Sequence, residues 1–191
     1  EIVNIPISVD TYKPAVAHEV LNAGASIIND ITGLQRFPDM AKTIARFQAG
    51  VILMHMQGNP QTMQKNPKYK FAPKDVYNFL KKQIKRCEKN KISKSRIIVD
   101  PGIGFGKTSK HNIQILQNLN LFHKLGCCLL VGLSRKRFIS DLSKKEKPIE
   151  RIPGTIAANQ FAMDQGVGII RVHDIKEAMQ AKLIWHALHK N

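Results

Sequence analysis

Six short apolar runs rich in β-branched residues recur along the chain, each followed by a helix-period stretch or by a loop leading to one. Such alternation restricts a chain to parallel strands with right-handed helical crossovers, because a helix that follows a strand packs back on the sheet before the next strand is laid beside the first. The runs are Ile5 to Asp10, Ser26 to Ile31, Val51 to Met56, Arg96 to Asp100, Cys128 to Leu133 and Gly168 to His173. Helical patterns cover Pro14 to Ala23, Pro38 to Gln48, Asp75 to Asn90, Asn112 to Lys124, Ile152 to Gln165 and Ile175 to His189. Pro14 and Pro38 suit a first helical turn, and Gly24, Gly50, Gly126 and Gly166 follow helices where a left-handed cap is needed. No Ser/Gly linker interrupts the series, so residues 1–191 read as one domain. Gln57 to Lys74, with Pro60, Pro67 and Pro73, reads as a surface excursion above a strand end.

Polar residues gather where these runs end: Asp10, Asn29, His55, Asp100, Ser134 with Arg135 and Lys136, then Arg171 and His173 with Asp174. In parallel α/β folds ligands bind at the carboxyl ends of strands. Residues two apart on a strand share a face, which groups Gly132 with Ser134 and Lys136 if the strand persists, and Ile169 with Arg171 and His173. The densest stretch is Val99-Asp100-Pro101-Gly102-Ile103-Gly104-Phe105-Gly106-Lys107-Thr108, a β-branched run that ends in a carboxylate and three alternating glycines. It is neither a Walker loop, whose first glycine position is Pro101, nor G-x-G-x-x-G, since the spacing is G-x-G-x-G. Each position also has a plainer reading. Asp100 suits a turn before Pro-Gly, Asp10 with Thr11 suits a cap for the helix at Pro14, and Lys136 suits the surface. Arg171 with His173 suits a salt-bridged strand end, and His55 between two methionines suits packing.

Thirty Lys and Arg against fourteen acidic residues give a net charge of +16, which favours an anionic ligand. The basic residues are densest between Lys65 and Lys94, where they read as a solvated helix face. Cys87, Cys127 and Cys128 lack metal-ligand spacing, and Cys127-Cys128 in an apolar run read as small core residues of a reduced protein. A nucleic-acid binder driven by charge is disfavoured by three tyrosines and one tryptophan without a recognisable binding motif. No apolar stretch approaches the roughly 18 residues that span a bilayer. With no leader in view either, a cytoplasmic protein is expected.

Ser8-Val9-Asp10-Thr11, Ile28-Asn29-Asp30-Ile31, Leu53-Met54-His55-Met56-Gln57-Gly58, Asp100 to Lys107, Gly132-Leu133-Ser134-Arg135-Lys136 and Arg171-Val172-His173-Asp174 together resemble the dihydropteroate synthases, in that family's order and over nearly the whole chain. The resemblance implies a (β/α)8 TIM barrel in which the six strands are the third through eighth. It thereby implies a chain short of two amino-terminal βα units and of the asparagine there that contacts metal and pyrophosphate. It implies condensation of 6-hydroxymethyl-7,8-dihydropterin pyrophosphate with p-aminobenzoate, and Mg2+ as cofactor, with no metal ligand within this chain. Pterin contacts fall on Asp10, Asn29, Ile31, Met54, Asp100, Phe105, Gly132, Lys136 and Arg171. Pyrophosphate contacts fall on Arg171 and His173, and p-aminobenzoate contacts on Phe105, Ser134, Arg135 and Lys136. The catalytic group would be Asp10, Lys136, Arg171 and His173. A homodimer is expected, with neither nucleic acid nor membrane as partner, and a polypeptide of residues 1–191 alone is expected to have negligible synthase activity. A methyltransferase domain acting on methyltetrahydrofolate is the alternative: it would share the Asp-Asn-Asp rim without the Ser-Arg-Lys end or the Arg-x-His pair.

Overall fold

A computed structural model describes residues 4–59 and 61–189. Six parallel strands lie side by side in sequence order, β1 (Ser8–Asp10), β2 (Ile27–Asp30), β3 (Gly50–Met54), β4 (Ile97–Asp100), β5 (Cys128–Gly132) and β6 (Ile169–Arg171). Between them run α1 (Pro14–Asn22), α2 (Met40–Arg46), α3 (Ala72–Lys89), α4 (Ser109–Leu116), α5 (Leu119–His123), α6 (Arg137–Leu142) and α7 (Ile152–Asp164), and α8 (Ile175–Leu188) follows β6. The sheet curls: its outer strands are not paired with each other, yet Arg171 Nη2 at the end of β6 donates to Asp10 Oδ2 at the end of β1 over 2.8 Å. This is a half-barrel of the TIM type, open along one side among the described residues.

The core follows the aliphatic runs. Ile28, Val51, Leu53, Ile97, Val99 and Val131, which the register places on one face of the sheet, are buried, and α3 lays Ala72, Val76, Leu80, Ile84 and Cys87 against that face at helical spacing. Burial fades outward, so that α8 has no buried residue, and Ile175, Leu183, Ile184 and Leu188 each lie more than half exposed. Beside β6 a groove of about 430 Å³ runs between α7 and α8, lined by Met163, Ile170, Val172, Met179 and Trp185. No helix among the described residues is long and apolar enough to cross a membrane.

Several sequence expectations change. The strand expected from Ile5 begins at Ser8, and those expected to run to Met56 and His173 stop at Met54 and Arg171, so His55 and His173 stand beyond the ladder. The β5 strand stops at Gly132, and Arg135 takes a left-handed φ of 56°, so Gly132, Ser134 and Lys136 do not continue one strand face. The single helix expected over Asn112 to Lys124 is two. Asn118 leaves helical geometry (φ −122°, ψ 28°) and turns its side-chain amide back to the Gln114 carbonyl at 2.8 Å, a side-chain bond that competes with the helix. Gly50 is not a cap: the left-handed residue after α2 is Gln48, φ 53°, and Gly50 opens β3, where a Cβ would approach Ile27 Cγ1 to 3.1 Å. Cys127 is half-buried and packs against the edge of the core that holds Cys87, whereas Cys128, exposed at the start of β5, is not a core residue. The expected surface excursion falls at residues 57–71, except that Pro60 lies outside the described residues and Pro73 belongs to α3.

Candidate functional site

All six carboxyl ends open on the same side of the sheet, and they carry the polar residues. At the rim Asp10 accepts from two neighbours, Asn29 Nδ2 at 2.8 Å through one oxygen and Arg171 through the other. Asn29 is itself buried, and its Oδ1 finds no partner among the described residues. Asp100, at the end of β4, accepts the Gly102 N–H at 2.7 Å through Oδ1, while Oδ2 has no hydrogen-bond partner among those residues. Burial raises the Asp100 pKa, against the pull of Lys107, Lys136 and Arg171. A buried carboxylate with one oxygen left over is an acceptor for N–H groups of a ligand.

The loop after Asp100 is held by its glycines. Gly102 and Gly106 have φ values of 68° and 59°, and a Cβ would come within 2.0 Å of the His55 carbonyl oxygen and 2.4 Å of that of Gln57. The backbone therefore lies on the β3 end, with no room for a side chain. Gly104, φ 82°, lies against the Lys136 stem, where a Cβ would stand 3.1 Å from Cδ. Lys136 Nζ sits 4.1 Å from the centroid of the Phe105 ring, a cation–π contact, and burial lowers its pKa. Met54 is buried beneath Gly102, whereas Ile31 lines a cavity of about 370 Å³ with Tyr12, Thr32, Arg36, Met56 and Asn59.

On the opposite side Ser134 is buried, and its hydroxyl accepts from the His173 N–H at 3.2 Å and bonds His173 Nδ1 at 2.9 Å. Gly132 brings β5 close to β6, where a Cβ would meet Arg171 Cβ at 3.9 Å. Arg135 turns away from Lys136 and makes a two-bond ion pair with Asp174, which lowers the Asp174 pKa. The structure thus brings Asp10, Asn29 and Arg171 into one network, Phe105 and Lys136 into a second, and Ser134 and His173 into a third. The guanidinium of Arg135 is engaged elsewhere.

A family model described as pterin binding enzyme matches residues 1–173. The chain belongs to that family. Among its relatives, the dihydropteroate synthase of Escherichia coli (strain K12) is 45% identical over 181 residues, covering 95% of this chain and 64% of that protein. The dihydropteroate synthase of Haemophilus influenzae is 42% identical over 182 residues, covering 95% and 65%. The chain thus spans just under two thirds of the length of these relatives. Among solved structures, the dihydropteroate synthase of Thermus thermophilus in complex with 6HMPPP matches with a TM-score of 0.92 at 40% identity, covering 97% of this chain and 73% of that one. That of Stenotrophomonas maltophilia, with imidazole in its active site, gives 0.94 at 39%, covering 97% and 70%.

Sequence reasoning passed over several residues that shape the candidate site. Lys107 is buried, and its Nζ lies within hydrogen-bond distance of the Gly102, Phe105 and His55 carbonyl oxygens (2.8, 2.9 and 3.2 Å) and of His55 Nδ1 at 2.9 Å. Burial brings its pKa down to about 7, although the Asp100 carboxylate raises it. The same burial, with Lys107 alongside, holds His55 near 3, so the imidazole is neutral. Asn112 Oδ1 accepts the Gly104 N–H at 2.9 Å, Gln64 Nε2 donates to the Gly104 carbonyl at 2.7 Å, and the Tyr69 hydroxyl donates to that of Gly106 at 2.6 Å. Lys107 stands inside the glycine motif and was legible there. Gln64, Tyr69 and Asn112 carry no local signal, because tertiary packing alone brings them to the loop.

Proposed function

We propose that the chain forms the pterin- and aminobenzoate-binding side of a dihydropteroate synthase, which condenses 6-hydroxymethyl-7,8-dihydropterin pyrophosphate with p-aminobenzoate to give 7,8-dihydropteroate and pyrophosphate. One observation carries this reading. The buried Asn29 Oδ1 stands at a strand end without a partner among the described residues, as does Asp100 Oδ2, and a buried acceptor such as that of Asn29 is costly unless a ligand supplies the donor. A pterin edge does so, presenting N–H groups beside a ring carbonyl much as guanine does. Relatives named dihydropteroate synthase, one solved with 6HMPPP, support the same reading.

Asp100 would take the pterin N–H groups, with Asn29 beside it. Lys136 would donate to the ring carbonyl, with Phe105 and Ile31 as apolar contacts. As pyrophosphate leaves, positive charge develops on the pterin methylene facing Asp10, and negative charge on the departing oxygens facing Arg171 and His173. The arylamine is its own nucleophile, so positioning and electrostatics suffice without a protein nucleophile. Ser134 and Lys136 would meet p-aminobenzoate, and Arg135 would reach it only on release from Asp174. Magnesium, which the resemblance implies, would be held mainly by oxygens of the pyrophosphate and by water, with few protein ligands. Among the described residues no three His, Cys, Asp or Glu side chains cluster to hold a metal. The same reading makes β1 to β6 the third to eighth barrel strands. It gives the protein a cytoplasmic setting and a homodimer to which the uncovered apolar residues of α8 would contribute.

The test is calorimetric binding of the pterin pyrophosphate to the complete natural protein. Asp100→Asn is expected to lose about 1–3 kcal/mol of affinity, because an amide that accepts one N–H turns a donor toward the other. Unchanged affinity would overturn the assignment.

A further inference from the structure

We propose that Lys107 is a positioning residue for the pterin site: from beneath the glycine loop its Nζ sets where Phe105, and through it the Lys136 side chain, meets the ligand. The inference rests on the reading of the site given under Proposed function and adds to it a residue that touches no substrate. Its basis is geometric. Lys107 Nζ gathers the carbonyls of Gly102 and Phe105, from the two ends of the loop, onto one point, and adds the carbonyl and Nδ1 of His55 from the end of β3. The loop between those carbonyls is the one that carries Phe105, 4.1 Å from Lys136 Nζ, and Gly104, against the Lys136 stem.

Other groups hold this loop, but from outside it. Gln64 and Tyr69 donate from the long β3–α3 connection, and Asn112 accepts from α4. Lys107 is the one side chain among the described residues that draws carbonyls from both ends of the loop to a single atom. It is also buried, so its bonds are not exchanged for water. A left-handed glycine loop has wide conformational freedom when unrestrained. A shared donor at its centre removes that freedom without placing a side chain in the ligand space.

Two readouts separate this inference from the reading of the site. The first needs no ligand: acetic anhydride labelling of Lys136, quantified by peptide mass spectrometry, in the wild type, Lys107→Met, Lys107→Gln, Phe105→Leu and the Lys107→Gln/Phe105→Leu double variant. Labelling is expected to rise about threefold or more in folded Lys107→Met, less in Lys107→Gln, which keeps two donors, and no further in the double variant than in Phe105→Leu alone. The second is affinity for 6-hydroxymethylpterin, expected to fall about tenfold in Lys107→Met. Unchanged labelling in the folded variants, additive effects in the double variant, or failure of both Lys107 variants to fold would each overturn the proposal and return Lys107 to a structural role. If the wild type does not bind the pterin while the labelling changes appear, the placing of Lys136 by Lys107 stands and the pterin reading falls.

Discussion

Gly102 is the residue at which backbone and site leave least room. An added Cβ would lie 2.0 Å from the His55 carbonyl oxygen, which is backbone and cannot swing aside, and the φ of 68° disfavours any L side chain. Gly102→Ala is expected to destabilise by more than about 2 kcal/mol in urea unfolding. Gly24→Ala, also left-handed but with nothing within 4 Å, is expected to cost about 1 kcal/mol. His55 makes a pH prediction. Its folded pKa of about 3 lies below the ordinary 6.5, so between those values the unfolded imidazole takes up a proton that the folded one refuses. Stability is lost as pH falls through that window, by about 1.4 kcal/mol per unit from this group. Asp30 and Asp100, whose pKa values burial raises, act in the opposite sense, so the comparison is with His55→Gln. Unfolding free energies of that variant at pH 6 and pH 4.5 are expected to differ by less than those of the wild type.

The corner between β5 and α6 shows what an element adds to its residues. Arg135 holds a left-handed φ because its surroundings specify it: its N–H donates to Thr155 Oγ1 at 3.0 Å, its carbonyl accepts from Arg151 at 2.9 Å, and its guanidinium pairs with Asp174. The Thr155 hydroxyl, buried on α7, also donates to the Arg151 carbonyl at 2.8 Å. Thr155→Val keeps the shape and leaves the Arg135 N–H without its acceptor. A loss of about 1–3 kcal/mol is expected by thermal and urea unfolding, and a smaller one for Thr155→Ser. This corner also marks where the sequence stops being legible. Alternation suffices for strand order, and punctuation for some helix limits, since Pro14 starts α1 and Gly24, Gly126 and Gly166 end helices in left-handed geometry. They do not say where a strand gives way to loop, because that depends on partners as remote as Thr155 and Asp174. Likewise α6, six residues long, offers too little periodicity to detect, and the break at Asn118 depends on one side-chain bond. At the site, Asp10, Asn29 and Asp100 were legible as polar residues ending apolar runs, whereas the restraint on Arg135 was not.

At the scale of the molecule, burial is deep through β2, β3 and β4 and shallow at β1, β6 and α8. Among the described residues the hydrogen bond that joins the two flanks lies at the rim, between Asp10 and Arg171, 161 positions apart along the chain. Both side chains are about half exposed, so the bridge contributes at most about 1 kcal/mol. Every other stage of assembly joins a strand to its sequence neighbour across one crossover, whereas this contact must wait until five strand pairings have bent the sheet far enough for its ends to meet. The bridge is therefore expected to form late in folding, after the transition state. Arg171→Ala is expected to leave the refolding rate in stopped-flow dilution unchanged and to speed unfolding by the whole of its stability cost. An equal slowing of refolding would mean instead that the chain curls early, with its first and last strands finding each other before the middle is complete.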